Sequence, residues 1–218
     1  MLRTLLDRLA PSAALRRPLA ETRFVVFDAE MTGLDLAHDR IISLGAIRMQ
    51  GAEIRLGETF SELVDPGRAL EGSNVLIHRL TPDRLAGRRS IEEAGRALHE
   101  FCAGDVLVGH CVRLDLNFLR RALPAEIAPA APRIVDTAAV ARWLAQQRER
   151  FLNGPAVREG AGSNLFELAR SLGIDVTHPH DALHDAYVTA QVWQRLIPQL
   201  AEFRIRRLLD LPAACCAS

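Results

Sequence analysis

Four carboxylates and one imidazole, on Asp28, Glu30, Asp115, Asp185 and His180, are the side chains of this 218-residue sequence best suited to chemistry. Hard divalent cations take oxygen ligands, so carboxylates are the groups expected around them. Four carboxylates brought into one cleft would repel and raise one another's pKa, which is costly unless cations lie between them. A set of this composition suits a hydrolytic site built on two metal ions. Each residue also has an ordinary reading. Asp28 can close a strand as a turn residue, Asp115 can be an exposed position on an amphipathic helix, and His180 can be a loop residue with His178 and His184 as rival bases. The chemical reading rests on the five together.

Three elements must position them. The apolar run Phe24-Val25-Val26-Phe27 reads as a buried strand, and the alternation of strand side chains puts Asp28 and Glu30 on one face of its end. Asp115 sits in an apolar-periodic segment, Leu114 to Leu123, just past a second strand-like run, Val106-Leu107-Val108. Asp185 lies near the start of a long helical pattern that runs to about Phe203, with His180 five residues upstream. Around them the pattern predicts strands near 23–29, 41–49, 53–63, 105–109 and 133–135. Helices are predicted as a short pair within 73–86 and as single segments near 90–102, 112–123, 136–148, 163–172 and 181–203. Turn chemistry at Gln50-Gly51 joins two strands as a hairpin, while later strands alternate with helices. The expectation is an α/β fold with a mixed central sheet and helices packed around it.

Composition permits one domain and excludes several reaction classes. All 27 basic residues are arginine and none is lysine, which removes Walker-type phosphate loops, Schiff-base enzymes and protein kinases. Formal net charge is zero, so affinity for nucleic acid must come from a local basic patch, and short or single-stranded substrates fit that best. With 5% aromatic residues, stacking is expected for only the last one to three nucleotides. Cys102, Cys111, Cys215 and Cys216 match neither a zinc module nor a disulfide framework, so a reducing, cytoplasmic setting is the default. No apolar run is long enough to span a membrane. The division expected is a peripheral N-terminal helix or extension over 1–21, a main domain over 22–203, and a tail over 204–218 that is poorly ordered from Leu211 onward. The Gly- and Pro-containing stretch Asn153 to Gly162 is the candidate mobile loop.

The segments Phe27 to Gly33, Gly109 to Leu119 and His180 to Ala186 resemble the three motifs of the DEDDh family of 3′–5′ exonucleases, in its proofreading, DnaQ-like branch. The likeness takes in Leu76 to Thr81 and spans about residues 22 to 200. It implies a ribonuclease-H-like fold, two Mg²⁺ or Mn²⁺ ions, and a substrate that is a single-stranded or frayed DNA 3′ end, released as nucleoside 5′-monophosphates. By resemblance Asp28 bridges both ions, Glu30 and Asp185 hold the ion that positions water, and Asp115 serves the second ion through water. The same likeness makes His180 the general base, in the place where sister enzymes use tyrosine. It implies that Thr32, Gly33 and His78 contact the terminal nucleotide. Met31, Cys111 and Leu114 depart from frequent Thr, Asn and Phe of the pattern. Asp136 reads as a helix N-cap, and His110, Trp143 and Trp193 read as structural. Two alternatives stand beside this reading: RNA 3′-end trimming, and a non-catalytic module associated with a DNA polymerase.

Overall fold

The computed structural model describes residues 13–67, 80–128, 134–152, 164–177 and 180–217. His78, the candidate loop at 153–162 and the first half, 73–79, of the helical pair expected within 73–86 lie outside the described residues. A six-stranded sheet runs in the order β3-β2-β1-β4-β5-β6. Its strands are β1 (Arg23–Met31), β2 (Ile41–Gln50), β3 (Glu53–Leu63), β4 (Val106–Gly109), β5 (Ile134–Asp136) and β6 (Cys216–Ala217). The helices are α1 (Ala13–Arg16), α2 (Pro82–Leu85), α3 (Ile91–Cys102), α4 (Arg113–Ala122), α5 (Thr137–Leu152), α6 (Leu165–Ser171) and α7 (Ala182–Glu202).

β1 is central because its apolar run can be buried on both faces. Phe24 and Val26 face α5 and α7, where Trp193 is fully buried with its ring edge-on to Phe24 at 5.6 Å. Val25 and Phe27 face α3 and α4, against Leu98, Leu116 and Leu119. Asp28 and Glu30 continue the even-numbered side, so the carboxylates emerge toward α7. β1 pairs antiparallel with β2 and parallel with β4, and β4 pairs parallel with β5, which is the expected mixture. The β2–β3 hairpin turns at Gly51, whose φ of +56° is the left-handed conformation that glycine adopts most cheaply. α3 starts with a reciprocal cap: Ser90 Oγ accepts from the Glu93 N–H while the Glu93 carboxylate accepts from the Ser90 N–H.

The tail departs from expectation. Leu208, Leu211 and Cys215 are buried in the α5/α7 core, and β6 adds an antiparallel edge strand to β5 through Ile134↔Ala217 and Val135↔Cys216. The last residues were expected to be poorly ordered because Cys216–Ala217 is too short to carry a strand pattern, and only the open edge of β5 gives it a partner. At the other end of the chain, Leu15 and Leu19 join the same core, and Leu19 N donates to Arg206 O at 2.7 Å.

Candidate active site

The three predicted elements meet at the C-terminal end of β1. Asp28 and Glu30 come from the strand, Asp115 from the first turn of α4, and Asp185 from the first turn of α7, with His180 just before that helix. The donor atoms of Glu30, His180 and Asp185 lie within 4.8 Å of one another. Asp115 and Asp185 are buried, Asp28 and Glu30 are partly open, and His180 is exposed at the mouth.

Electrostatics show that all four carboxylates share one space. Burial pushes the Asp28 carboxyl well above the usual range, and the charges of Asp115, Asp185 and Glu30 push it further. Glu30 is pushed up to about 7 by burial and then by Asp185 and Asp181. Asp115 is pushed up to about 8, by burial foremost and by Glu30 and Asp136. Asp185 is raised by burial as well, moderated by the His180 N–H that donates to its Oδ2 at 3.0 Å. Asp185 Oδ1 is buried without a hydrogen-bond donor among the described residues. An acid cluster that resists losing its protons, one of whose buried carboxylate oxygens has no hydrogen bond among the described residues and only the His184 ring nearby at 3.6 Å, fits a site for divalent cations. Glu30 and Asp185 would hold a cation directly, with Asp28 and Asp115 beside them.

Several features that align these groups carry no signal in the local sequence. Gly45 on β2 stands directly opposite Asp28 in the register. A Cβ at position 45 would lie 2.2 Å from both the Ala182 carbonyl carbon and the Leu183 nitrogen. The start of α7 therefore rests on the bare backbone of Gly45, which sets the height of Asp185 above Asp28. Asp181 caps α7 by accepting from the His184 N–H at 3.0 Å, and its charge adds to the repulsion felt by Asp28 and Glu30. Asp181 is the exception to that silence, since an Asp immediately before a helical pattern is a readable cap signal. Phe166 on α6 places its ring edge-on to His180, with centroids 5.6 Å apart.

Of the three non-glycine residues with left-handed backbone among the described residues, one is Arg204 and two flank the site, His180 at φ +68° and Cys111 at φ +51°. Both immediately precede elements carrying site carboxylates. Cys111 N donates to Asp136 Oδ1 at 3.1 Å, and the same oxygen accepts from Ala138 N and Ala139 N, so Asp136 caps α5 as expected and also anchors the approach to α4. His110 is structural, its Nδ1 lying 2.9 Å from Thr137 Oγ1.

His184, the rival base, sits with Nε2 3.2 Å from Thr177 Oγ1 and Nδ1 3.6 Å from Asp185 Oδ1, and it is less exposed than His180. The Thr32 hydroxyl, expected near the nucleotide, donates to Asp39 Oδ1 at 2.7 Å and accepts from Arg40 N at 3.0 Å. It thus holds the 32–40 loop closed. A Cβ on Gly33 would fall 2.4 Å from Asp39 Oδ2, so the bare backbone there leaves room for the Asp39 carboxylate that holds Thr32.

The sequence profile of the exonuclease family, RNase T type, matches residues 25–193. A DNA polymerase III subunit epsilon-like protein of Rhodobacter capsulatus is 35% identical over 199 residues, which cover 90% of this chain and 27% of the relative. The chain thus spans about a quarter of that relative's length. Among solved structures, E. coli Exonuclease I in complex with a dT13 oligonucleotide superposes with a TM-score of 0.66 at 21% identity, covering 84% of this chain and 43% of the other. The nuclease domain of 3′hExo, a DEDDh family member bound to rAMP, superposes at 0.64 and 15% identity, covering 91% and 98%. Both likenesses show a shared fold.

Proposed function

Because the chain belongs to the DEDDh, DnaQ-like family of 3′–5′ exonucleases, whose members depend on divalent metal, we propose that it trims single-stranded or frayed DNA 3′ ends to nucleoside 5′-monophosphates. The observation that carries this reading is the meeting of Asp28, Glu30, Asp115 and Asp185 in one proton-retaining cluster beside an exposed histidine. Two cations, Mg²⁺ or Mn²⁺, would supply charge stabilisation at the phosphoryl and leaving oxygens and an acidified water. The chain's own part is positional and protic. Glu30 and Asp185 orient the attacking side, and Asp28 from within β1 and Asp115 from the first turn of α4 stand behind them. His180 takes the proton from the attacking water, the general-base task for which imidazole is the commonest side chain. Its backbone N–H on Asp185 Oδ2 ties the base to the carboxylate beside which it works. Gly33 lets the terminal nucleotide approach the backbone closely.

DNA as substrate is supported by the polymerase-subunit relative and by the DNA oligonucleotide held by Exonuclease I, and association with a DNA polymerase by the same relative. RNA trimming is the second reading, favoured by the rAMP in the 3′hExo nuclease domain. A cytoplasmic setting accords with four free cysteines. The deciding experiment incubates 3′- and 5′-labelled DNA and RNA with the protein, with and without chelator. The expected result is metal-dependent release of mononucleotides from DNA 3′ ends, abolished in Asp28→Ala and Asp185→Ala. Full activity in both variants would defeat the assignment of the site.

A further inference from the structure

Beside the loop that closes over Thr32 lies a cavity of about 270 Å³ between the start of β2, the segment after β3, and α4. Its apolar wall is formed by Ile41, Ile91 and Phe118, and the guanidinium-bearing residues Arg40 and Arg121 stand at its edge. Two aspartates, Asp39 and Asp65, also line it, and both are engaged by donors of the protein. Asp39 accepts from Thr32 Oγ1 and from Asp35 N, and Asp65 accepts from Gly67 N and Gly87 N.

The arginines are arranged differently. Among the described residues neither has a carboxylate within ion-pair distance. Arg40 Nη1 donates to Asp39 O at 2.8 Å and reaches Ala37 O at 3.5 Å, and Arg121 Nη2 donates to that same Ala37 carbonyl at 3.3 Å. The two nitrogens are therefore no more than about 7 Å apart. Two like charges sharing one neutral acceptor are mutually unfavourable until an anion comes between them. Each guanidinium has five N–H donors, most of them without an acceptor among the described residues, and their fork geometry matches phosphate oxygens.

Position connects the pair to the cluster of carboxylates. Arg40 N donates to Thr32 Oγ1 and Thr32 N donates to Arg40 O, so this wall is bonded directly to the segment following Glu30. Ser43, the register partner of Glu30, lies three residues along the same chain, a span of roughly 10 Å in extended backbone. That is a distance of a few nucleotides at most.

We propose that Arg40 and Arg121 form a phosphate subsite that grips the backbone of the substrate strand upstream of its 3′-terminal nucleotide, with Phe118, Ile41 and Ile91 as an apolar floor. This inference rests on the exonuclease reading, which it extends from the terminal nucleotide to the strand behind it. It also gives an electroneutral chain the local basic contact that nucleic-acid binding requires.

The test uses a fluorescein-labelled dT12 oligonucleotide and, as a substrate too small to reach the subsite, the p-nitrophenyl ester of thymidine 5′-monophosphate. Arg40→Ala and Arg121→Ala are each expected to weaken oligonucleotide binding, read by anisotropy in chelator, by ~3- to 10-fold. The salt dependence of binding should flatten by ~0.7 in log–log slope per lost phosphate contact. Ester hydrolysis should stay at the wild-type rate, which also shows that the loop and cluster are intact. Arg121→Lys should restore part of the affinity by keeping the charge without the fork. Unchanged affinity and slope in both alanine variants would overturn the subsite, as would equal losses on the oligonucleotide and the ester. A wild-type protein that hydrolyses neither substrate would instead refute the exonuclease reading, while the binding comparison would still decide the subsite.

Discussion

Substituting alanine at Gly45 tests how the fold places its metal ligands. The added methyl would lie 2.2 Å from backbone atoms of Ala182 and Leu183, whereas ordinary contact begins near 3.4 Å, so the start of α7 must retreat from β2 by about 1.2 Å. Neither neighbour is a flexible side chain that can swing away. Asp185 rides on that turn, three residues beyond Ala182. A displacement of ~1 Å in a reacting assembly costs on the order of 10²-fold in rate. Forced overpacking costs ~1–3 kcal/mol, while Gly→Ala in extended backbone returns ~0.4–1 kcal/mol through the unfolded chain, so overpacking wins. At ~2–4 °C per kcal/mol for a chain of this size, the net fall in Tm is a few degrees. The assay is kcat on a labelled single-stranded oligonucleotide at saturating Mg²⁺, alongside calorimetric Tm. Gly57→Ala on β3 is the control, since a Cβ there meets nothing within 4 Å, and it should leave kcat unchanged. Wild-type kcat and Tm in Gly45→Ala would refute the claim that the bare backbone at 45 sets the position of Asp185.

Three further outcomes follow from the geometry. Glu30 is raised from an ordinary 4.5 to about 7 and Asp115 from 3.8 to about 8, so in the metal-free protein their contribution to stability is present below about pH 4 and is lost as pH rises through 7 and 8. Tm in chelator should therefore fall between pH 5 and 8, and saturating Mg²⁺ should flatten that slope; a chelated protein whose Tm rises over this window would contradict the buried cluster. His180→Ala should lower kcat by ~10²- to 10⁴-fold with little change in Tm, and His184→Ala by much less, as read from single-turnover rates; the reverse order would make His184 the base. Cys111→Asn should raise Tm by a few degrees at unchanged activity, because asparagine tolerates φ of +51° better than cysteine; a lower Tm would show that the thiol's contacts outweigh the backbone strain.

The sequence by itself determined the order of the first five strands and of the helices between them, the mixed sheet, and the choice of five residues to watch. These were legible because each is written in short-range pattern: an apolar run ending in Asp28 and Glu30, a helical period carrying Asp115, a long helix opening at Asp185. The cap at Asp136 and the burial of Trp193 were legible for the same reason. Tertiary structure alone decided the rest. Cys216 and Ala217 become a strand only because the edge of β5 offers a ladder. The role of Gly45 exists only where α7 crosses β2, more than 130 residues away in sequence. The Thr32 hydroxyl, assigned to substrate by resemblance, turns inward because Asp39 and Arg40 N are within reach after the loop folds. The different settings of the two histidines are likewise tertiary: His184 lies between Thr177 and Asp185, while His180 stands exposed at the mouth. Pattern along a chain reports what each segment must bury, but which backbones touch, and at what height, is fixed only by packing between segments that the sequence leaves far apart.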